Sequence, residues 1–171
     1  MLVESLHKTI VVKKGDLFIT EGEKNRKIGR IFSGVMRGFV IDEEGNEITT
    51  HFYQEKDMVI ASYIPNVTSP LNIQALENCT ISIGSFAEVM SYVNKNKEIT
   101  DIINVAFNKL NRQLQSRLVA LTNLNALEKY KLFLKEYPNL INKVPHYLIA
   151  NFLGITPTQL SRSRKQFSQQ M

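Results

Sequence analysis

Residues 156–165 hold the side chains best suited to polar recognition: Thr156, Thr158, Gln159, Ser161, Arg162, Arg164 and Lys165. Hydroxyls, an amide and three cations so close together bind; they do not make or break bonds. Arginine can donate two parallel hydrogen bonds to a guanine edge or a phosphate. Lysine meets phosphate as a point charge, and the hydroxyls and amide reach base edges. Bond-making chemistry has no comparable set. His7, His51 and His146 are scattered without metal-ligand spacing, and there is no glycine-rich phosphate loop or nucleophile elbow. His51 alternates with Phe52 and is expected at the surface or hydrogen-bonded within a sheet. Cys79 stands alone, which excludes an internal disulfide and a cysteine-only metal cluster. Its apolar surroundings predict a buried thiol acting as a small hydrophobe. No enzyme activity, metal or cofactor is expected.

The elements that must position these residues are legible around them. Leu148, Ile149 and Phe152 have helical apolar spacing, and Ala150 leaves room for a neighbouring helix. Gly154 suits a left-handed turn, Thr156 an N-cap and Pro157 the first helical position. Gln159, three residues after Thr156, completes a capping box. The pattern over 144–167 is helix, tight turn, helix, the layout of a DNA-binding helix-turn-helix. With Leu160 inward, Thr158, Arg162 and Lys165 point outward, Gln159 and Ser161 flank them, and Arg164 leans toward the domain edge to meet a phosphate or an internal carboxylate. Arg162 is the candidate for a bidentate guanine contact. The position three after Leu160, usually large and apolar in such helices, is Ser163, which predicts a looser domain with Phe167 filling the space.

Upstream, residues 9–85 read as short strands broken by glycine turns, an antiparallel barrel or sandwich. Strands are expected at 9–12, 17–19, 28–32, 35–41 and 47–53, with a hairpin loop at 42–47. Residues 58–61 fit a strand or one helical turn. Residues 71–76 and 80–83 read as a further hairpin closed by Glu77 and Asn78. From Ser85 the period becomes helical, with a short helix on Phe86, Val89, Met90 and Val93. A long helix then runs from about 98 to 121. Its apolar stripe would bury against the strands or against its own copy, and its length and near-heptad spacing favour the copy. Its seam positions are Ile103, Phe107, Leu110, Leu114, Leu118 and Leu121. A further amphipathic helix spans 125–136, with Leu127, Tyr130, Phe133 and Leu134 inward.

Charge follows the same division. Up to residue 97 there are 11 Lys/Arg against 12 Asp/Glu; from residue 98 there are 10 against 4. The net +5 therefore lies wholly in the C-terminal part, which suggests a polyanionic partner for that part. No apolar run is long enough to span a membrane, and the start lacks a signal-peptide core, so a cytoplasmic location is expected.

The ordered set resembles the CRP/FNR family of bacterial transcription regulators. The N-terminal likeness lies in Lys14-Gly15-Asp16, Glu21-Gly22-Glu23, Ile31-Phe32-Ser33-Gly34-Val35-Met36-Arg37 and the hairpin at 42–47. The C-terminal likeness lies in Tyr137-Pro138, Val144-Pro145, Ile149-Ala150, Phe152-Leu153-Gly154-Ile155-Thr156-Pro157 and Leu160-Ser161-Arg162-Ser163-Arg164-Lys165. The wording around Leu153–Pro157 looks most like the Bacteroidetes branch. The resemblance implies an α+β fold with three parts. These are an N-terminal antiparallel β-roll, jelly-roll-like, over 1–97, a dimerisation helix over 98–124 and a helix-turn-helix DNA-binding domain over 125–171. It further implies a homodimer on a palindromic operator in double-stranded DNA, contact with RNA polymerase and a small-molecule effector on the β-roll. The family's cyclic-nucleotide binders hold phosphate with an arginine and a Gly-Glu pair. The corresponding residues, 57–62 and 68–72, contain no glycine and no arginine, so cyclic AMP binding is not expected. The polar lining of an effector pocket would be Ser62, Tyr63, Thr68 and Ser69. The sequence ends at Met171, before the β-hairpin wing that often follows, and only a few residues precede the β-roll. The alternative reading is a ligand-sensing or protein-interaction module without specific DNA binding.

Overall fold

The computed structural model describes residues 8–24, 26–62, 64 and 67–170, so His7 and Tyr63 lie outside the described residues. Two compact units, Met1–Lys109 and Leu110–Met171, divide the chain. The described strands all lie in the first: β1 Lys8–Val12, β2 Leu17–Ile19, β3 Lys27–Ser33, β4 Met36–Ile41, β5 Glu47–Tyr53, β6 Met58–Val59, β7 Asn72–Ala75 and β8 Cys79–Ser85. The helices are α1 Phe86–Tyr92, α2 Lys97–Asn123, α3 Ala126–Glu136, α4 His146–Leu153 and α5 Pro157–Ser168. The boundary between the units falls inside α2.

The strands form two antiparallel sheets, one in the order β1-β8-β3-β6 and the other β2-β7-β4-β5. Alternation places one face of each sheet inward. Phe18, Met36, Tyr53 and Ile73 from one sheet meet Val12, Ile31, Cys79 and Ile81 from the other in a single apolar core. Cys79 is buried there, its thiol 3.3 Å from the Val35 carbonyl. His51, on β5 of the other sheet, is also buried, its ring 4.3 Å from that of Tyr53 and Nδ1 3.0 Å from Thr50 Oγ1. The buried Arg37 is paired with Glu47, donates to Gln74 Oε1 from Nε and Nη2 at 2.9 and 2.7 Å, and lies over the Phe39 ring.

The expected hairpin over 71–83 is not formed. β7 pairs with β2 and β4, whereas β8 pairs with β1 and β3. Residues 76–78 are a corner crossing from one sheet to the other, where Leu76 N–H donates to Val35 O at 2.8 Å. The second corner, at Ser33–Val35, packs against it. Gly34 has φ +104°, and an added Cβ would sit 2.5 Å from Cys79 Sγ. Turn residues signal a reversal, but they do not say which sheet the chain enters next.

The loop at 42–47 is a tight turn closed by Asp42, whose carboxylate accepts from Asn46 N at 2.8 Å and Glu44 N at 3.0 Å. The backbone and then the side-chain amide of Asn46 hold its pKa below the usual carboxylate value. The turn's ionised form is favoured by folding. Its stabilisation is therefore present above the unfolded pKa, about 3.9, and is lost as pH falls through the lower folded value. NMR titration should place the Asp42 midpoint below that of exposed aspartates; a midpoint at the unfolded value would contradict the geometry.

On the outer face of the β1-β8-β3-β6 sheet a second cluster joins Ile28, Met58 and Ile60 to Phe86 and Val89 of α1 and to Ile99 and Ile103 of α2. Thus the first half of α2 has an apolar face on the β-roll. In the second unit the core is largely aromatic and aliphatic. Phe133, Tyr137 and Phe152 are mutually in ring contact at 5.3–6.0 Å, with Leu140, Ile149 and Leu160 also buried.

Candidate nucleic-acid interface

α4 and α5 reproduce the expected helix-turn-helix, and its local causes are visible. Gly154 takes φ 62° and ψ 41°, and its N–H caps the end of α4. An added Cβ there would meet Leu121 Cδ2 at 2.8 Å, so the turn sits directly beneath the end of α2. Arg117, also on α2, donates from Nε to Phe152 O at 3.0 Å and lies over the Phe152 ring. Burial pushes its pKa below the ordinary arginine value, with Tyr137 opposing.

The start of α5 is closed reciprocally. Thr156 Oγ1 accepts from Gln159 N at 3.2 Å, and Gln159 Oε1 accepts from Thr156 N at 2.8 Å, with Pro157 in the first turn. These two side chains therefore organise the helix start, and outward contact in the first turn falls to Thr158. Thr156→Ala removes one half of the box. It should destabilise the second unit by about 1 kcal/mol, read as a lower denaturation midpoint; an unchanged midpoint would show that the cap contributes nothing.

Thr158, Ser161, Arg162 and Lys165 are exposed on α5 while Leu160 is buried. No hydrogen bond or ion pair engages the Arg162 or Lys165 side chain among the described residues. Arg164 leans toward the domain edge as expected, but its internal partner is not a carboxylate. It is half-buried and pairs with no carboxylate among the described residues; its Nη1 lies 2.9 Å from both ring nitrogens of His146, the first residue of α4. A guanidinium nitrogen equidistant from both nitrogens lies against the ring rather than in its plane, so His146 supports Arg164 from behind. Sequence reasoning left His146 among the scattered histidines, because no spacing rule joins residues 18 apart on two helices.

Ser163 is buried, 3% exposed, not at the edge of a loosened domain. Phe167 packs edge-on against Tyr130 at 5.8 Å, and Lys131 Nζ donates to Gln170 Oε1 at 2.8 Å, so α5 is anchored on α3. A shallow depression of about 360 Å³ beside Ser161, Arg164, Lys165 and Ser168 adds a basic concavity to the exposed face. With α5 seated and its cations turned out, the face can lie in a groove of a polyanion.

The residues expected to line an effector pocket are placed less favourably. Ser69 is buried, and its hydroxyl donates to Leu71 O at 2.5 Å and accepts from Leu71 N at 3.3 Å. Ser62 Oγ accepts from Ile64 N at 3.0 Å. Thr68 forms an isolated bridge with Lys24. Among the described residues no cluster of three or more His, Cys, Asp or Glu could hold a metal ion, and no helix is long and apolar enough to cross a membrane.

FixK2 from Bradyrhizobium japonicum has this arrangement along 95% of the chain and 85% of its own length, at 15% identity and a TM-score of 0.84. The chain has the fold of FixK2. The c-di-GMP-responsive global regulator CLP of Xanthomonas campestris matches with a TM-score of 0.77 at 12% identity, over 99% of this chain and 89% of that one. A Eubacterium rectale protein described as a transcriptional regulator of the crp/fnr family matches with a TM-score of 0.72 at 18% identity, over 99% and 84%. No protein-family model matches the sequence, and no curated protein matches it significantly.

Proposed function

We propose that the protein is a homodimeric, sequence-specific DNA-binding transcription regulator, not an enzyme, acting in the cytoplasm. The observation that carries this reading is the doubly capped α5, anchored through Leu160 and Phe167, with the side chains of Thr158, Arg162 and Lys165 exposed and without partners among the described residues. Arg162 reads a guanine edge, Thr158 a base or phosphate at the helix start, and Lys165 and Arg164 the backbone. The regulators that share the fold support it.

Dimerisation follows from α2. Phe107, Leu114, Leu118 and Leu121 are 45%, 41%, 65% and 38% exposed, a stripe of large apolar residues at helical spacing that the single chain leaves in water. Ile103, expected in the seam, is instead 5% exposed and buried against the β-roll with Ile28 and Phe86, so the exposed residues and the half-buried Leu110 form the seam for the same helix of a second copy. Two recognition helices related by a two-fold axis fit half-sites about one helical turn apart, roughly 34–36 Å. An effector on the β-roll would shift the balance between dimer geometries that do and do not match that spacing. Cyclic AMP is not proposed as the effector, since residues 57–72 offer no arginine for its phosphate. RNA polymerase is a further proposed partner.

Selection of bound sequences from a random DNA pool at fixed salt tests the proposal. A palindromic consensus is the expected result. Binding no tighter than non-specific at low salt would overturn it and favour an interaction module.

A further inference from the structure

Between β3, the turn before β6 and the first half of α2 lies a half-open cleft of about 310 Å³, entirely within the first unit. Its apolar lining is Met58, Ile102, Ala106 and the 68% exposed Val105, and its charged lining is Arg30, Lys56, Asp57, Asp101 and Lys109. The charged residues are not equivalent. Asp57 is paired with Lys109, and its second oxygen accepts from Gln54 N at 3.0 Å, so that carboxylate is already compensated. Arg30 is half-buried on the sheet face, and its guanidinium has no hydrogen-bond or ion-pair partner among the described residues. Lys56 is likewise unpaired. Its backbone is held at φ 73°, a region rare for a residue with a side chain, by Lys56 N to Ile31 O at 2.9 Å and Asp57 N to Gln54 O at 3.0 Å. Two uncompensated cations and one uncompensated carboxylate, Asp101, thus line the cleft beside its apolar residues.

The cleft is separate from the dimer seam. On a helix turning about 100° per residue, Ile102, Val105 and Lys109 lie roughly 140–160° around α2 from Phe107. A second copy seated on Phe107 leaves Ile102, Val105 and Lys109 uncovered, and none of the described residues of 62–70 lines the cleft. Ligand cavities run from roughly 300 to 1,000 Å³, so this one takes a short molecule, not a dinucleotide.

We propose that this cleft binds an amphipathic organic carboxylate. Its carboxylate pairs with Arg30, whose planar fork matches a carboxylate, and Lys56 stands at the mouth. The apolar body covers Ile102, Val105 and Ala106. An occupant would bridge β3 to α2 and bias the helix that carries the dimer seam; only this regulatory role rests on the function proposed above, not the binding itself.

Octanoate is the probe, titrated into the full chain by calorimetry and by amide NMR, with octylammonium and acetate as comparators. Saturable octanoate binding is expected, with shifts at Arg30, Lys56, Ile102, Val105 and Ala106 and at least tenfold weaker binding of both comparators. Arg30→Gln should weaken octanoate at least tenfold without changing the melting midpoint, and Val105→Asp should do the same from the apolar lining. No saturable binding at millimolar octanoate, equal binding of octylammonium, an unaffected Arg30→Gln protein, or shifts centred on Phe107 would each overturn the site. The selected DNA is titrated against the same proteins without octanoate. Arg30→Gln should bind it as the unaltered chain does, so failure of the cleft leaves DNA binding intact, and failure of DNA binding leaves the cleft intact.

Discussion

Arg162→Ala should abolish discrimination between the selected palindrome and unrelated DNA while leaving the fold and the dimer unchanged. The side chain is exposed and makes no hydrogen bond or ion pair among the described residues, so its removal leaves no cavity and no orphaned partner there. What it removes is a bidentate contact in each half-site, about 1–3 kcal/mol each. Two half-sites double this, which lowers specific affinity by roughly 30-fold to 10⁴-fold, while binding to random DNA falls only slightly. Lys165→Ala gives the contrasting signature. A lost phosphate contact weakens binding to all sequences alike and reduces the salt slope by about 0.9 per contact. Binding isotherms at several salt concentrations separate the two. An Arg162→Ala protein that still prefers the palindrome, or one that melts several degrees earlier, would show that Arg162 serves the fold and not recognition.

The largest effect on stability is expected at the paired corners of the β-roll, where Gly34→Ala should lower stability by several kcal/mol. Two terms combine. At φ +104° any side chain strains the backbone, by about 1–3 kcal/mol. The new Cβ would also lie 2.5 Å from Cys79 Sγ, 2.8 Å from Cys79 Cα and 3.0 Å from Asn78 O. Overpacking of this kind costs about 1–3 kcal/mol. Their sum, roughly 2–6 kcal/mol, is a large part of the 5–15 kcal/mol of a typical domain. Removing the sulfur in the double variant Gly34→Ala/Cys79→Ala should restore only part of the loss, because the Cys79 Cα and the Asn78 carbonyl remain. A double-mutant cycle on denaturant unfolding reads this directly. Full restoration would mean that the sulfur alone set the spacing, and no loss for Gly34→Ala would refute the corner geometry.

The sequence by itself determined the features whose causes lie within a few residues. Thr156, Pro157 and Gln159 encode the start of α5, and Gly154 the end of α4, because capping bonds and left-handed turns are made by neighbours in the chain. The strand positions and the long amphipathic α2 were equally legible from alternation and helical spacing. So were the outward positions of Thr158, Arg162 and Lys165. Pairings between distant residues were decided only in the tertiary structure. Alternation marks Asn72–Ala75 and Cys79–Ser85 as strands but is blind to sheet membership, so an expected hairpin proved to be a crossing between sheets. A helical wheel turns Arg164 toward the domain edge, yet only the packing of α5 against α4 brings it to His146. The same wheel makes Ser163 look like a defect until the fold buries it and lets Phe167 reach Tyr130. Arg30 reads as one more strand cation; its lack of an ion pair and its place beside Ile102 and Val105 exist only once α2 lies across the sheet. Local geometry is written in short-range bonds, whereas partnership depends on which surfaces the folded chain brings together.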